Sequence, residues 1–186
     1  MESLTLFIVS CVYFFLPAYF ANMAPPLAKR AGIFKSLFRP IDGGKRLGGE
    51  PVFGDHKTWL GALAAMSAGF AVFSLQEWLC RFPGFLNISI IDYGASDACL
   101  VALLMPLGTV LGDLGSAFTK RRLKLKPGAK FIPWDQTNYV IGNFIILQPM
   151  LNLNLNIWFT LFVLTFFLHV IFNRLGYILG LHKAKW

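Results

Sequence analysis

The chain has 186 residues, 56% of them hydrophobic and 14% charged, with a mean hydropathy of +0.59. A fold of this size leaves much of its surface exposed, so that much apolar material cannot be hidden in one aqueous core and must meet lipid. The composition also excludes a disordered chain, a disulfide-stapled secreted module and an outer-membrane barrel, while the meaning of the net charge of +8 depends on where the basic residues lie.

From Ser3 to Ala28 run 26 residues without a charged side chain, long enough for a first span. No basic stretch precedes it and Lys29 and Arg30 follow it, the pattern of a retained helix rather than a cleaved signal. A second span is expected from about Thr58 to Leu79, with 19 uncharged residues between Lys57 and Glu77. The third, about Asp97 to Thr119, contains one carboxylate, Asp113. From Gln136 through Asn173 there are 38 residues without a charge; one helix of that length would measure about 57 Å against a hydrocarbon core of about 30 Å. Pro149 and the alternating Asn152, Asn154 and Asn156 therefore predict a turn, with a short fourth helix over about 137–150 and a fifth over about 157–180. The expected fold is all-α: a polytopic membrane protein with five transmembrane helices.

Of the 17 basic residues, 16 fall in the segment Lys29–Lys57, in the segment Lys120–Lys130 or in the C-terminal segment from Arg174. Five spans put all three regions on one side, so the positive-inside rule predicts an outer N-terminus, a cytosolic C-terminus and two long cytosolic loops, about 29–57 and 120–136. Insertion alone accounts for most of these charges, but not for the loop lengths. The first loop interleaves Gly43, Gly44, Gly48, Gly49 and Gly54 with Lys45, Arg46, Asp55 and Lys57. Glycines let backbone N–H groups approach phosphate, and a solvated loop and an anion site are both compatible with that composition.

Asp113 lies seven residues before Lys120, about 10 Å deeper along a continuous helix. Thr109, Asp113, Ser116 and Lys120 share one helical face, while Gly108, Gly112 and Gly115 allow close helix contact. A carboxylate within a span is costly and marks function more often than structure. Asp135 returns an acid to the membrane surface, where a helix cap is its simplest role, and Asn138 follows one helical turn later. Two carboxylates with a neutral oxygen ligand suit Mg²⁺, which keeps positions for water and substrate phosphate.

Three segments together, Leu16–Asn22 with Pro25 and Pro26, Gly54–Gly61, and Gly112–Arg121 followed by Pro127, Gly128 and Asp135–Asn138, resemble the CTP-dependent cytidylyltransferases of membrane phospholipid synthesis. The resemblance is strongest to their archaeal branch, the CDP-archaeol synthases, and covers nearly the whole chain. Relative to the bacterial and eukaryotic CDP-diacylglycerol synthases, Asn138 stands where an aspartate is usual. The resemblance implies a single integral-membrane catalytic domain over 1–186 in the cell membrane, with its active site at the cytosolic face. Its expected reaction joins CTP to an isoprenoid glyceryl phosphate lipid with Mg²⁺ as cofactor, and nucleic acid is not a partner. It implies Asp113 and Asp135 as metal ligands and Lys120 and Arg121 as phosphate contacts. Asn22, Gly48, Gly49, Asp55, Lys57, Thr58, Ser116 and Asn138 are the implied substrate-binding residues. A small membrane transporter for an anionic or ionic solute is the alternative, because it too would use an acid within a span.

Overall fold

The computed structural model describes residues 3–178 apart from 33, 127, 128 and 130. Expectations that concern Lys130, Lys183 and Lys185 lie outside these residues. Among the described residues six α-helices carry the fold: α1 (Leu4–Ala31), α2 (Trp59–Leu79), α3 (Pro83–Leu86), α4 (Ala98–Arg122), α5 (Trp134–Leu151) and α6 (Leu155–Ile178). The all-α, polytopic membrane expectation holds, and four of the helices are long and apolar enough to cross a bilayer: Leu4–Ala31, Trp59–Leu79, Ala98–Arg122 and Leu155–Phe172 within α6. Large side chains on these helices, such as Phe20, Leu63, Leu103 and Phe159, point outward, as lipid contact requires.

Local signals set the helix ends. Ser3 accepts a hydrogen bond from Leu6 N at 3.2 Å and opens α1; Thr58 does the same for α2 through Gly61 N at 3.2 Å. Asn152 takes a left-handed conformation, φ 43°, and closes α5, while Asn154 accepts from Asn156 N at 2.9 Å as α6 begins. The asparagine turn is thus where it was expected. The fourth helix starts earlier than the expected 137, at Trp134, so Asp135 sits in its first turn, where a negative charge is favourable. The third continues past Thr119 to Arg122 because its last turn is basic.

The helices pack around Phe14, Phe15, Phe73, Met105, Leu147 and Leu161, all fully buried. The Phe15 and Tyr139 rings stack with centroids 6.0 Å apart, and the Tyr19 hydroxyl and Thr165 Oγ1 meet at 2.9 Å, joining α1 to α6. The closest approach is between α4 and α5. A Cβ on Gly142 would lie 2.2 Å from Gly108 O and 2.8 Å from Gly112 N, so the two backbones touch. Asn143 locks this contact by donating to Thr109 Oγ1 at 3.0 Å and to Tyr139 O at 2.8 Å.

The first loop is folded. A two-stranded antiparallel hairpin, β1 (Arg46–Leu47) and β2 (Glu50–Pro51), pairs Arg46 with Pro51 and Leu47 with Glu50. Gly48 and Gly49 form its turn with φ of 59° and 84°, a region open to glycine at little cost.

Gly142→Ala should destabilise the protein by about 1–3 kcal/mol, the usual cost of overpacking, measured by thermal unfolding in detergent. Gly115→Ala, with nothing within 4 Å of its added Cβ, should leave the unfolding temperature the same or slightly higher, because alanine is the better helix former.

Candidate active site

The expected polar stripe on α4 is divided between two partners. Thr109 faces Asn143, and Ser116 and Lys120 turn to Asp135 on α5. Asp113 turns instead to the first loop, where the Lys57 ammonium lies 2.6 Å from Oδ1 and 2.7 Å from Oδ2. A carboxylate within a span is costly even toward the helix end and partly exposed, as Asp113 is, and this charge-assisted pairing offsets part of that cost.

Asp135 is more heavily bonded. Lys120 Nζ donates to its two oxygens at 3.0 and 2.8 Å, Ser116 Oγ donates at 3.1 Å, and Phe131 N donates at 3.0 Å. Asp135 therefore does more than cap α5: it joins the end of α4 to the start of α5. The α4–α5 backbone contact fixes the elements that carry both carboxylates.

The two ion pairs line one cavity of about 220 Å³, together with Pro51, Phe53, Gly54, Asp55, Ser116 and Arg121. Arg121 is buried and its Nε–H has no hydrogen-bond partner among the described residues. A buried donor of this kind is costly unless a ligand accepts from it. A second cavity of about 370 Å³ shares His56, Lys57 and Asp113 with the first and extends between α1, α2 and α4 past Asn22, Thr58 and Ala65. Lys57 and Asp113 thus stand where the two spaces meet.

Asp55, Lys57, Asp113, Ser116, Lys120, Arg121 and Asp135 are brought together at the first cavity, and Asn22 and Thr58 line the second. Gly48 and Gly49 lie at the exposed hairpin turn, outside both. Asn138 lines neither cavity; its backbone packs on Gly112, and its buried Oδ1 has no hydrogen-bond partner among the described residues.

Asp42 escaped the sequence reading as a part of this site. Its carboxylate accepts from Gly44 N at 3.0 Å, Phe53 N at 2.8 Å and Gly54 N at 3.0 Å, and so shapes the strand that walls the cavity. Burial pushes the Asp42 carboxyl up, but the amides of Gly54, Phe53 and Gly44 outweigh it and hold the group below its ordinary value. Its position just ahead of two glycines was the available signal, since Asp commonly accepts from amides two residues on.

With this geometry the family is plain. The family model of CarS-like CDP-archaeol synthases matches residues 4–186. The chain belongs to that family. A CDP-archaeol synthase of Thermococcus onnurineus is 35% identical over 176 residues, covering 94% of this chain and 94% of the relative. One from Methanosarcina barkeri is 32% identical over 182 residues, covering 92% of this chain and 99% of the relative. A solved structure of an intramembrane enzyme for archaeal membrane lipids biosynthesis aligns with a TM-score of 0.69 at 25% identity, over 87% of this chain and 91% of that one.

The depressed Asp42 pKa has a pH consequence. Its stabilising contribution is complete above the ordinary value of 3.8 and is lost as pH falls through the lower folded value. Hydrogen exchange at the Phe53 and Gly54 amides should therefore show the loop opening on acidification below that pH. Asp42→Asn should show a loosened loop at neutral pH as well.

Proposed function

We propose that this chain transfers the cytidylyl group of CTP to 2,3-bis-O-(geranylgeranyl)-sn-glycerol 1-phosphate, yielding the CDP-activated lipid and pyrophosphate. One observation carries the reading: two lysines and a buried arginine with an unsatisfied donor share a cavity with three carboxylates, Asp55, Asp113 and Asp135, in a chain whose near full-length relatives are CDP-archaeol synthases. A lipid phosphate oxygen forms a bond to the α-phosphorus of CTP. The bond from that phosphorus to the oxygen bridging to the β-phosphate breaks, and its electron pair leaves on pyrophosphate. The nucleophile belongs to the substrate, so no protein nucleophile is needed. What the chain supplies is placement and electrostatic stabilisation.

Lys57 and Lys120 reach phosphate oxygens from the positions where they now meet Asp113 and Asp135. Exchanging a carboxylate for a triphosphate oxygen keeps each ammonium paired throughout. Arg121 offers its free Nε–H to the same phosphates, and a guanidinium can bind two oxygens at once. Asn22, Asp55, Thr58 and Ser116 line the surrounding space and orient the substrates. Gly48 and Gly49 act through the hairpin they close, and Asn138 through the α4–α5 contact beside Asp135.

The donor set suits Mg²⁺. Asp113 and Asp135 bring hard carboxylate oxygens to one cavity and leave room for water and phosphate, the coordination this ion prefers. Bound there it would neutralise charge on the phosphates. We also read α5 as a fifth span, since its 18 residues measure about 27 Å; the N-terminus then lies outside and the site at the cytosolic face. This orientation brings the water-soluble nucleotide and the membrane-bound lipid phosphate to the same boundary. The transporter reading is not favoured, because the charged groups gather toward the end of α4 and the first turn of α5 instead of forming a path across the bundle.

The test is a purified full-length preparation in detergent with labelled CTP, Mg²⁺ and several lipid phosphates. Equimolar CDP-lipid and pyrophosphate are expected; no product with the geranylgeranyl substrate, together with solute uptake in proteoliposomes, would overturn the reading. Asp113→Asn should insert normally and lose at least about 100-fold in turnover, the scale for removing a stabilising group from a charged transition state. Lys120→Ala should cost about 10–100-fold, the equivalent of one hydrogen bond to a charged group.

A further inference from the structure

The last turn of α4 ends in three basic residues with three different targets. Lys120 meets Asp135 and Arg121 lines the cavity, whereas Arg122 lines neither cavity. Its guanidinium donates to Leu47 O, to Glu50 O at 3.2 Å and to Pro51 O at 2.5 Å. The Phe118 ring lies beneath it, 5.2 Å from centroid to Cζ. Among the described residues these are the hydrogen bonds that tie the hairpin to a helix. A hairpin with two paired residues on each side is too small to hold a position by itself. Yet its second strand runs into Phe53, Gly54, Asp55 and Lys57, which wall the cavity. Asp42 fixes the shape of that wall from within the loop but does not anchor it to the bundle.

We propose that Arg122 is a positioning residue: by gripping three hairpin carbonyls it docks the first loop on α4 and so sets where Lys57 meets the site. The proposal rests on the nucleotide reading of that cavity. The planar fork is essential to it, because a lysine in the same place offers one point of charge and cannot span three acceptors.

The experiment compares wild type, Arg122→Lys, Lys57→Ala and the double variant, with KM for CTP and for the lipid phosphate and turnover measured in detergent. Arg122→Lys keeps the charge that insertion uses. It should raise KM for CTP about tenfold while moving KM for the lipid phosphate less than about twofold. In the Lys57→Ala background the same change should have little further effect, since residues acting as one unit are not additive. Hydrogen exchange should quicken in residues 46–56 and stay unchanged in the helices. Wild-type kinetics in Arg122→Lys, equal shifts in both KM values, or multiplicative losses in the double variant would each overturn the proposal. If Arg122→Lys fails to accumulate, Phe118→Ala removes the ring beneath the guanidinium and must raise KM for CTP in the same selective way, or the proposal fails. A wild-type preparation that makes no CDP-lipid at all refutes the functional reading instead.

Discussion

A carboxylate held below the end of a membrane helix needs a counter-charge, and for Asp113 it arrives from a loop 56 residues away in sequence. The rest of the site is arranged around that demand. Lys57, one residue before the α2 cap Thr58, meets Asp113 where the first loop enters α2. A pair of half-buried ions is a weak source of stability, since desolvation cancels much of the attraction. A pairing this weak leaves both groups ready to exchange partners.

The loop is held by groups of opposite sign acting on opposite ends of the peptide unit. Asp42 collects backbone N–H groups from within the loop, and Arg122 collects carbonyl oxygens from the helix side. Between them they satisfy backbone groups that a chain of this composition would otherwise leave to water. A segment rich in glycine, costly in entropy to order, becomes a wall of defined shape.

The four long apolar helices were legible in the sequence because each is a long run with little or no charge, and the asparagine turn because Asn tolerates the left-handed conformation seen at Asn152. The carboxylates, Lys120 and Arg121 were legible because acids within a span and the motif around them are rare. The pairings were not. Lys120 and Asp135 are joined by the way α4 and α5 approach each other, an approach decided at Gly108, Gly112 and Gly142 by the missing side chains, and Lys57 meets Asp113 from the folded first loop. Arg122 was indistinguishable from the insertion charges beside it, because its targets are main-chain oxygens that every residue possesses.

That last contact bears on how this protein can diverge. Since the guanidinium reads carbonyls and not side chains, Leu47 and Glu50 are free to vary as long as the path of the chain is kept. Such a joint leaves no paired signature of co-varying positions. Two relatives with unlike text between their glycines can therefore share one shape of rim, and the alignment column that preserves it would lie far away, in the helix that does the gripping.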